Sequence, residues 1–536
     1  MANAATQASL AHGTITPEFF EALVTQPKVL AGLLRGVEKE SLRVAPDGSL
    51  SKRPHPKALG SPLTHPAITT DFSEAQLELI TTVHDSAQKC LRELTDVHRF
   101  VYSELDDELL WPSSMPCIVG DDNDIPVGQY GSSNIGRTKT IYRRGLGLRY
   151  GRLMQTISGI HYNFSLPDEL WLALDVTSQD ERTAAYFGLI RNFRRWSWLL
   201  IYLFGASPAV CRSFTRNMQH TLQPFDEGSQ HLPFATSLRM GPLGYQSSAQ
   251  SALHISYNSL RDYTESMVDA LTQNYPEYAS KGIVKNGEYQ QLNASVLQIE
   301  NEFYGTIRPK RRVYSGERPV TALRERGVEY VEVRCLDLNP FLPVGIDDTQ
   351  MNFLDTFLLL CLLSPSAPDS PAEFERVGAN QQAVVEQGRD PSLKLKAADG
   401  AELNLAQWGE HLLDQCAPIA HLLDQNVADN RYVRSLSQQR QRLRDPELTP
   451  SAQVLATMRE QNIPFFRFSM NQALEQKAYF GKHPLSAQEK AFFELSVADS
   501  ITAQQKIEAA DELDYESFLR EYLKIPSLES GVPEHT

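Results

Sequence analysis

The chain has 536 residues and a formal net charge of −15, with acidic residues spread along the whole sequence. It lacks the basic face that phosphate backbones require, so we expect no nucleic-acid partner. The polar N-terminus has no secretory pattern, and the apolar runs at 196–206 and 353–363 are shorter than the roughly 20 residues that cross a bilayer. We therefore expect a soluble, cytoplasmic protein without a membrane partner, in which both runs are buried core helices.

The cysteines are scattered and form no CxxC pair, which predicts reduced thiols and no zinc site built from cysteine. They are Cys90, Cys117, Cys211, Cys335, Cys361 and Cys416.

In chain order, the sequence predicts an N-terminal arm and first helix start over 1–25, an α+β catalytic core over 26–363, a linker-like stretch at 364–371, a helical part packed on the core over 372–525, and a tail over 526–536. The helical part includes Leu403–Leu423, with a break at Pro418, and Ala487–Ile507. No long coiled-coil seam runs through 400–520, so we expect a monomer more than an obligate oligomer.

Four segments of the core alternate polar and apolar residues with a period of two, which predicts β-strands. They are Val37–Val44, Ala75–Ile80, Gly159–Phe164 and Val328–Arg334. Side chains two apart share a face of a strand, which pairs Glu38 with Glu40, His161 with Asn163, and Glu332 with Arg334. The segments are separated by very different lengths of chain, which favours a largely antiparallel sheet with one polar face in an α+β fold.

The chain carries acids that could hold a metal ion, although it has no GxxxxGK[ST], HExxH or GxSxG motif. Glu38 and Glu40, with Asp71 and Glu78, would repel one another unless a cation lies between them. Oxygen ligands with one imidazole, from His161, suit Mg²⁺ or Mn²⁺. The same acids also fit the solvated face of an edge strand, and His161 also fits a buried core histidine.

Basic residues near these acids could complete a phosphoryl-transfer site, because that reaction needs cations around the migrating group. Arg308, Lys310 and Arg311 form a local positive cluster, and Arg334 shares a face with Glu332. A solvated loop is the alternative interpretation of the cluster.

Ten ordered blocks cover residues 30–345 densely. They are GVEKESLRV at 36–44, LTHPAITTDF at 63–72, WPSSMPC at 111–117, QYGSSNIGR at 129–137, LMQTISGIHYNFS at 153–165, YLFGASP at 202–208, ATSLR at 235–239, LQIENE at 297–302, IRPKR at 307–311 and VEYVEVRCLDLNPF at 328–341. Together they resemble the proteobacterial type of the glutamate–cysteine ligase family. This resemblance implies a glutamine-synthetase-like core with the active site on its polar sheet face.

The resemblance also implies residue roles. The implied metal ligands are Glu38, Glu40, Asp71, Glu78, His161 and Glu332. Arg143 would lie closest to the transferring phosphoryl group, and Arg239 and Arg334 would bind substrate carboxylate or phosphate oxygens. The implied substrate-binding residues are Phe72, Tyr142, Leu146, Gln155, Asn163, Arg239, Tyr245 and Tyr304, and those for nucleotide phosphates are Arg308, Lys310, Arg311 and Arg334.

The implied activity is an ADP-forming ligation of the glutamate γ-carboxylate to the cysteine amine through γ-glutamyl phosphate, the first step towards glutathione. ATP would be a substrate, Mg²⁺ (or Mn²⁺) the cofactor, and glutathione a feedback inhibitor. Three alternatives stay open: a ligase of the same superfamily that uses another amine, a catalytically silent nucleotide-binding regulator, and a structural protein.

Overall fold

The computed structural model describes residues 14–244, 248–251, 253–314 and 316–525. Most of the predicted N-terminal arm and all of the predicted tail lie outside these residues. The strands are β1 Leu34–Val44, β2 Ile68–Thr70, β3 Gln76–Ile80, β4 Leu109–Leu110, β5 Ile160–Ser165, β6 Ala209–Cys211, β7 Gln223–Pro224, β8 Ser229–His231, β9 Val284–Lys285, β10 Glu288–Tyr289, β11 Ile307–Lys310, β12 Tyr330–Leu336, β13 Lys394–Lys396 and β14 Glu402–Asn404.

The α-helices surround the sheet and dominate the second half of the chain. They are α1 Pro17–Thr25, α2 Ala87–Glu104, α3 Asn134–Tyr150, α4 Asp168–Ala173, α5 Gln179–Phe204, α6 Arg212–Thr215, α7 Ser248–Ser251, α8 Leu260–Thr272, α9 Pro276–Lys281, α10 Pro319–Arg326, α11 Asp348–Leu363, α12 Pro371–Gln387, α13 Leu405–Asp424, α14 Arg431–Arg444, α15 Pro450–Glu460, α16 Phe465–Lys482, α17 Ala487–Ala509 and α18 Tyr515–Tyr522.

The main sheet has the strand order β11-β12-β5-β1-β3-β2, with β4 paired to β1. Every neighbouring pair in it is antiparallel. The α+β fold class, the antiparallel sheet and the four predicted strands are thus confirmed.

One face of this sheet packs on helices and is mainly apolar, although Arg35 and Lys39 of β1 are also buried on it. Val37, Tyr162, Val331 and Val333 are fully buried on it, because alternation places them opposite the polar side chains of the same strands. The apolar runs that we expected to be buried lie in α5 and α11, where most side chains are inaccessible to solvent. Within the described ranges, no helix is long and apolar enough to cross a membrane.

The strand register gathers the polar side chains on the other face. Glu38 on β1 lies directly opposite His161 on β5, and Glu40 lies opposite Glu78 on β3. Glu332 on β12 lies opposite Asn163. Directly opposed side chains on an antiparallel pair have Cβ atoms about 5 Å apart, so this register brings residues distant in sequence within reach of one ion.

The predicted break at Pro418 is wrong, because α13 runs through it from Leu405 to Asp424. A proline inside a helix removes one backbone hydrogen bond. Leu412, Leu413 and Ile419 are fully buried around that position, and their burial offsets the loss.

The expectation that all six cysteines are reduced is wrong for two of them. Cys117 and Cys211 form a disulfide whose Cα atoms are 5.1 Å apart across a sequence separation of 94 residues. The fold alone creates this proximity, since Cys117 lies in a loop and Cys211 ends β6. The other four cysteines are free and buried.

Candidate active site

A cavity of about 350 Å³ lies over the polar face of the main sheet. One wall is a single face of α3, which begins after Ser133, whose hydroxyl accepts a hydrogen bond from the Gly136 amide. Residues three or four apart on a helix share a face. That face carries Ile135, Thr138, Lys139, Tyr142, Arg143 and Leu146 into the cavity.

All six predicted metal ligands line this cavity. Ligand atoms of Glu38, Glu78 and His161 lie within 4.8 Å of one another. His161 Nδ1 is 3.2 Å from Glu38 Oε2 and 3.7 Å from Glu332 Oε1, and its Nε2 is 3.6 Å from Glu40 Oε1. That Nε2 is buried and makes no hydrogen bond in the described part of the chain, so it is available as a metal ligand.

Burial and mutual repulsion disturb the ionisation of these acids. Burial, with repulsion from Asp71, raises the pKa of Glu40 to about 8. Burial and the neighbouring carboxylates likewise raise the pKa of Glu78 well above its usual range. A divalent ion bound between these carboxylates would favour their charged forms and so oppose both shifts.

The pKa values of Glu38, Glu332 and His161 are shifted by burial and by the charged groups next to them. Burial opposes ionisation of Glu38, but the hydrogen bond from His161 leaves its pKa lowered. Burial also opposes ionisation of Glu332, yet the adjacent Lys310 and Arg334 hold its pKa well below the usual range. Burial, assisted by Arg334, lowers the pKa of His161, which favours the neutral imidazole that binds metals.

Cations lie beside the acids. Lys310 Nζ is 3.2 Å from Glu332 Oε1, and Arg334 Nη1 is 3.2 Å from Glu332 Oε2. Arg143 stacks on the Tyr130 ring at 4.4 Å from its centroid. Phosphoryl transfer requires this kind of arrangement, in which fixed cations surround oxygen ligands.

Arg239 lies below the cavity rather than in its wall. Its Nη2 donates to the Arg334 carbonyl at 3.1 Å, and Nη1 is 3.8 Å from Asp337 Oδ1. Gly159 provides the room, because a Cβ at that position would collide with the Arg239 guanidinium. Asn163 donates from Nδ2 to Glu38 Oε1 at 2.9 Å and thereby orients that carboxylate.

Five of the residues predicted to bind substrate lie together in the cavity wall. They are Phe72, Tyr142, Leu146, Gln155 and Tyr304. Gln155 Nε2 donates to the Tyr304 hydroxyl at 2.9 Å, and burial raises the Tyr142 pKa, which keeps its phenol protonated. Tyr245 lies outside the described residues.

A second cavity of about 330 Å³ adjoins the first and shares Asn301, Arg308 and Lys310 with it. Its wall is largely apolar, with Val313, Val320, Leu323 and Tyr330. Arg311 lines this second cavity and not the first, whereas Arg308 lines both.

Sequence reasoning missed about half of the residues that line the first cavity, among them Lys139 and Tyr522. Lys139 precedes Arg143 by one helical turn, so the predicted role of Arg143 together with helical periodicity could have identified it. Tyr522 comes from the distant α18. We find no local signal in the sequence that places Tyr522 here.

The antiparallel sheet, its acidic face and the opposing cations are the features of a metal-dependent phosphoryl-transfer site in an α+β fold. A family model described as glutamate-cysteine ligase matches residues 20–384. The chain is 50% identical over 500 residues to the glutamate–cysteine ligase of Pseudomonas paraeruginosa, covering 92% of this chain and 94% of that protein. It is 48% identical over 505 residues to that of Saccharophagus degradans, covering 92% and 95%. The chain therefore belongs to the glutamate–cysteine ligase family.

Solved structures show the same fold. The crystal structure of glutamate–cysteine ligase from Francisella tularensis in complex with AMP matches with a TM-score of 0.87 at 36% identity, over 92% of this chain and 97% of that one. A bifunctional glutathione synthetase from Pasteurella multocida matches with a TM-score of 0.67 at 25% identity, over 90% of this chain and 57% of that one.

Proposed function

We propose that this chain joins the γ-carboxylate of L-glutamate to the amine of L-cysteine in a reaction driven by ATP, which forms γ-glutamylcysteine, ADP and phosphate. The observation that carries the proposal is the cluster of Glu38, Glu78 and His161, within 4.8 Å of one another, beside an aromatic pocket. Membership of the glutamate–cysteine ligase family supports the same substrates.

We propose Mg²⁺, with Mn²⁺ as a substitute, as the ion held by the acidic face. The donor set is five carboxylates and one imidazole, and such oxygen-rich sites suit these ions. Glu38, Glu40, Asp71, Glu78, His161 and Glu332 would hold it. When bound, the ion would neutralise charge on the phosphate oxygens during transfer.

In the first chemical step, an oxygen of the glutamate γ-carboxylate attacks the γ-phosphorus of ATP, the bond from that phosphorus to the bridging oxygen breaks, and ADP leaves. Arg143 and Arg334 bind the migrating group, and Lys310 adds positive charge beside Glu332. Arg239, below the floor of the cavity, supports glutamate binding through Arg334, whose carbonyl it holds. Asn163 supports it through the Glu38 carboxylate. Fixed cations stabilise charge that develops in the transition state, which is the main contribution a protein makes to this reaction.

In the second step, the cysteine amine attacks the acyl carbon and phosphate leaves, so that an amide forms. Phe72, Tyr142 and Leu146 supply apolar walls for the thiol side chain, while Gln155 and Tyr304 supply polar contacts. This combination fits a small amino acid. Tyr245 belongs to the proposed pocket through the family resemblance.

The adjoining cavity would take the base of the nucleotide. Its apolar residues suit a purine ring, and Arg308 and Lys310 connect it to the site where the phosphates would lie. Arg311, which lines only this cavity, would then lie beside the nucleoside or its first phosphate. The AMP complex of the Francisella tularensis enzyme supports a nucleotide site in this fold.

We also propose glutathione as a feedback inhibitor, because its γ-glutamylcysteine part is the product of the reaction and can occupy both the glutamate and the cysteine pockets. We propose a cytoplasmic monomer of 60.2 kDa, with the helical part 372–525 joined to the catalytic core 26–363 through 364–371. Inhibition competitive with glutamate and a sedimentation mass of one chain would agree with these assignments. Uncompetitive inhibition or a stable dimer would contradict them.

The test is ADP release by the purified chain with ATP, Mg²⁺ and glutamate, comparing cysteine, 2-aminobutyrate and ammonia as the amine. We expect release with cysteine, accompanied by γ-glutamylcysteine in the mass spectrum, and almost none with ammonia. A preference for ammonia would show that cysteine is not the amine substrate of this chain. An absence of release with every amine would overturn the proposed function.

A further inference from the structure

Five basic side chains line the active-site cavity, and four of them already have polar partners. Lys310 and Arg334 pair with Glu332. Arg308 donates to the backbone carbonyls of Asn301 and Phe303. Arg143 donates to the carbonyls of Thr70, Asp71 and Lys139, so much of its guanidinium is used to hold the β2–β3 segment against α3.

Lys139 is different. Its half-buried side chain lines the cavity, and in the described part of the chain its ammonium forms no ion pair and donates no hydrogen bond. The ammonium lies over the Tyr130 ring, whose centroid is 5.2 Å from Nζ. Burial, together with repulsion from Arg143, lowers the pKa of Lys139 to about 8, and attraction by the Glu78 carboxylate only partly opposes this shift.

The position of Lys139 on α3 indicates which anion it meets. Leu146 and Tyr142, which belong to the proposed cysteine pocket, lie towards the C-terminal end of the helix. Lys139 lies seven residues before Leu146, or about 10 Å along the helix axis. It therefore lies nearer the N-terminal end of this wall than either pocket residue, with Tyr142 about one helical turn farther along. The cationic groups of Lys139 and Arg143 both contact the Tyr130 ring and therefore lie near each other.

We propose that Lys139 binds a phosphate oxygen of the nucleotide and is a further catalytic residue of this site. The inference rests on the proposed function, since it assumes that a nucleoside triphosphate occupies the cavity. A polyphosphate would supply the negative charge that Lys139 lacks, and a compact ammonium with three donors suits contact with such oxygens. Arg143 already uses three of its five guanidinium donors on backbone carbonyls, so Lys139 would add donors for the phosphate oxygens that Arg143 does not reach.

The test is the affinity of the full chain for ADP in the presence of Mg²⁺, measured by calorimetry for wild type, Lys139→Met, Lys139→Arg and Lys89→Met. Methionine keeps the length of the lysine stem and removes the charge. We expect Lys139→Met to raise the dissociation constant at least about tenfold, the factor for losing one charge-assisted hydrogen bond. Lys139→Arg should recover most of the affinity. Lys89→Met, on the exposed surface of α2, should bind as wild type does.

Steady-state kinetics then separates phosphate from amino-acid binding. The KM for ATP should rise in Lys139→Met, while the KM values for glutamate and cysteine stay within about twofold. An unchanged dissociation constant for ADP, or a rise confined to the KM for cysteine or glutamate, would overturn the proposal. Should Lys139→Met fail to fold, Lys139→Gln takes its place under the same criteria.

The proposed ligase function and the role of Lys139 can fail independently of each other. A wild-type chain that binds ADP but releases none from ATP with glutamate and cysteine would overturn the ligase assignment. The binding comparison would still decide the contact of Lys139 with the nucleotide.

Discussion

The sheet face and the C-terminal helices contribute to the same cavity in opposite ways. On the sheet, Glu38, Glu40, Glu78 and His161 lie side by side through strand register and are largely buried. By contrast, α17 buries only Phe493 and Ser500 among its described residues. The sheet carries the charged side chains of the site, and the C-terminal helices enclose the cavity.

The enclosure works through polar contacts to loops around the site. Ser500 accepts a hydrogen bond from the Ser61 amide, and Glu508 accepts one from the Ser132 amide. The next helix, α18, brings Tyr522 into the cavity wall. Its Tyr515 ring lies 4.1 Å from the Arg137 guanidinium on α3. Changes on the sheet should therefore abolish chemistry, while changes in these helices should weaken binding.

The largest effect should come from Glu332→Gln. Removing this charge takes away a metal ligand and the partner of Lys310 and Arg334, so we expect kcat to fall by roughly 10³-fold with the fold retained. Turnover measurements with circular dichroism check this, with Glu325→Gln on an exposed part of α10 as the control. Normal turnover by a folded Glu332→Gln protein would remove Glu332 from the metal site.

Arg239→Lys should come next. Lysine cannot reproduce the planar fork that donates to the Arg334 carbonyl, so we expect the KM for glutamate or ATP to rise roughly 10- to 100-fold. Initial rates at varied glutamate and varied ATP measure this. Unchanged values for both substrates would show that Arg239 positions neither.

Tyr522→Ala tests the contribution of α18. Loss of this ring opens the cavity wall, and we expect KM values to rise about three- to tenfold with kcat less affected, because the acids and cations remain in place. Tyr522→Phe keeps the ring and should behave as wild type, as should Tyr479→Ala on α16. A fall in kcat as deep as that of Glu332→Gln would erase the distinction between the two regions.

The stability of the metal-free protein should depend on pH through Glu40. Its folded pKa of about 8 lies above the ordinary 4.5, so the folded state binds more protons than the unfolded state between these values. Stability must then fall as the pH rises through this window. Thermal unfolding should show it, and Glu40→Gln should flatten the dependence. Added Mg²⁺ should raise Tm more near pH 8 than near pH 6, since binding needs ionised carboxylates. An equal rise at both would contradict the account of these acids.

The smallest effect should come from the exposed face of α17. Phe492 is 66% exposed, so Phe492→Ser should change the free energy of unfolding by no more than about 0.5 kcal/mol and leave turnover unchanged. Denaturant titration measures this. A loss of several kcal/mol would mean that this face packs against something in solution.

The sheet half of this comparison was predictable from the sequence, because strand alternation is a local property. Glu38 and Glu40, two residues apart, must share a face whichever strands flank them. The register between two strands is not a local property, and so only the structure shows that Glu40 lies opposite Glu78. The family resemblance supplied the roles of Arg143 and Arg239, which periodicity alone does not give.

The remainder depends on contacts between distant parts of the chain. Tyr522 reaches the cavity, and Cys117 reaches Cys211, only through the packing of the whole fold. The predicted helix break at Pro418 was wrong for a related reason, because burial around α13 outweighs the local cost of a proline. Local rules predict single elements well and the contacts between distant elements poorly.

Transfer of oxygen from substrate to product tests the central claim most directly. Glutamate labelled with ¹⁸O in its γ-carboxylate is incubated with ATP, Mg²⁺, cysteine and the wild-type chain, and the released phosphate is examined by mass spectrometry. Attack of the carboxylate on the γ-phosphorus predicts one ¹⁸O atom in each phosphate formed, and a rate of labelled phosphate release from Glu332→Gln that is lower by roughly 10³-fold. Phosphate without label, released together with ADP and γ-glutamylcysteine, would contradict activation of glutamate as an acyl phosphate.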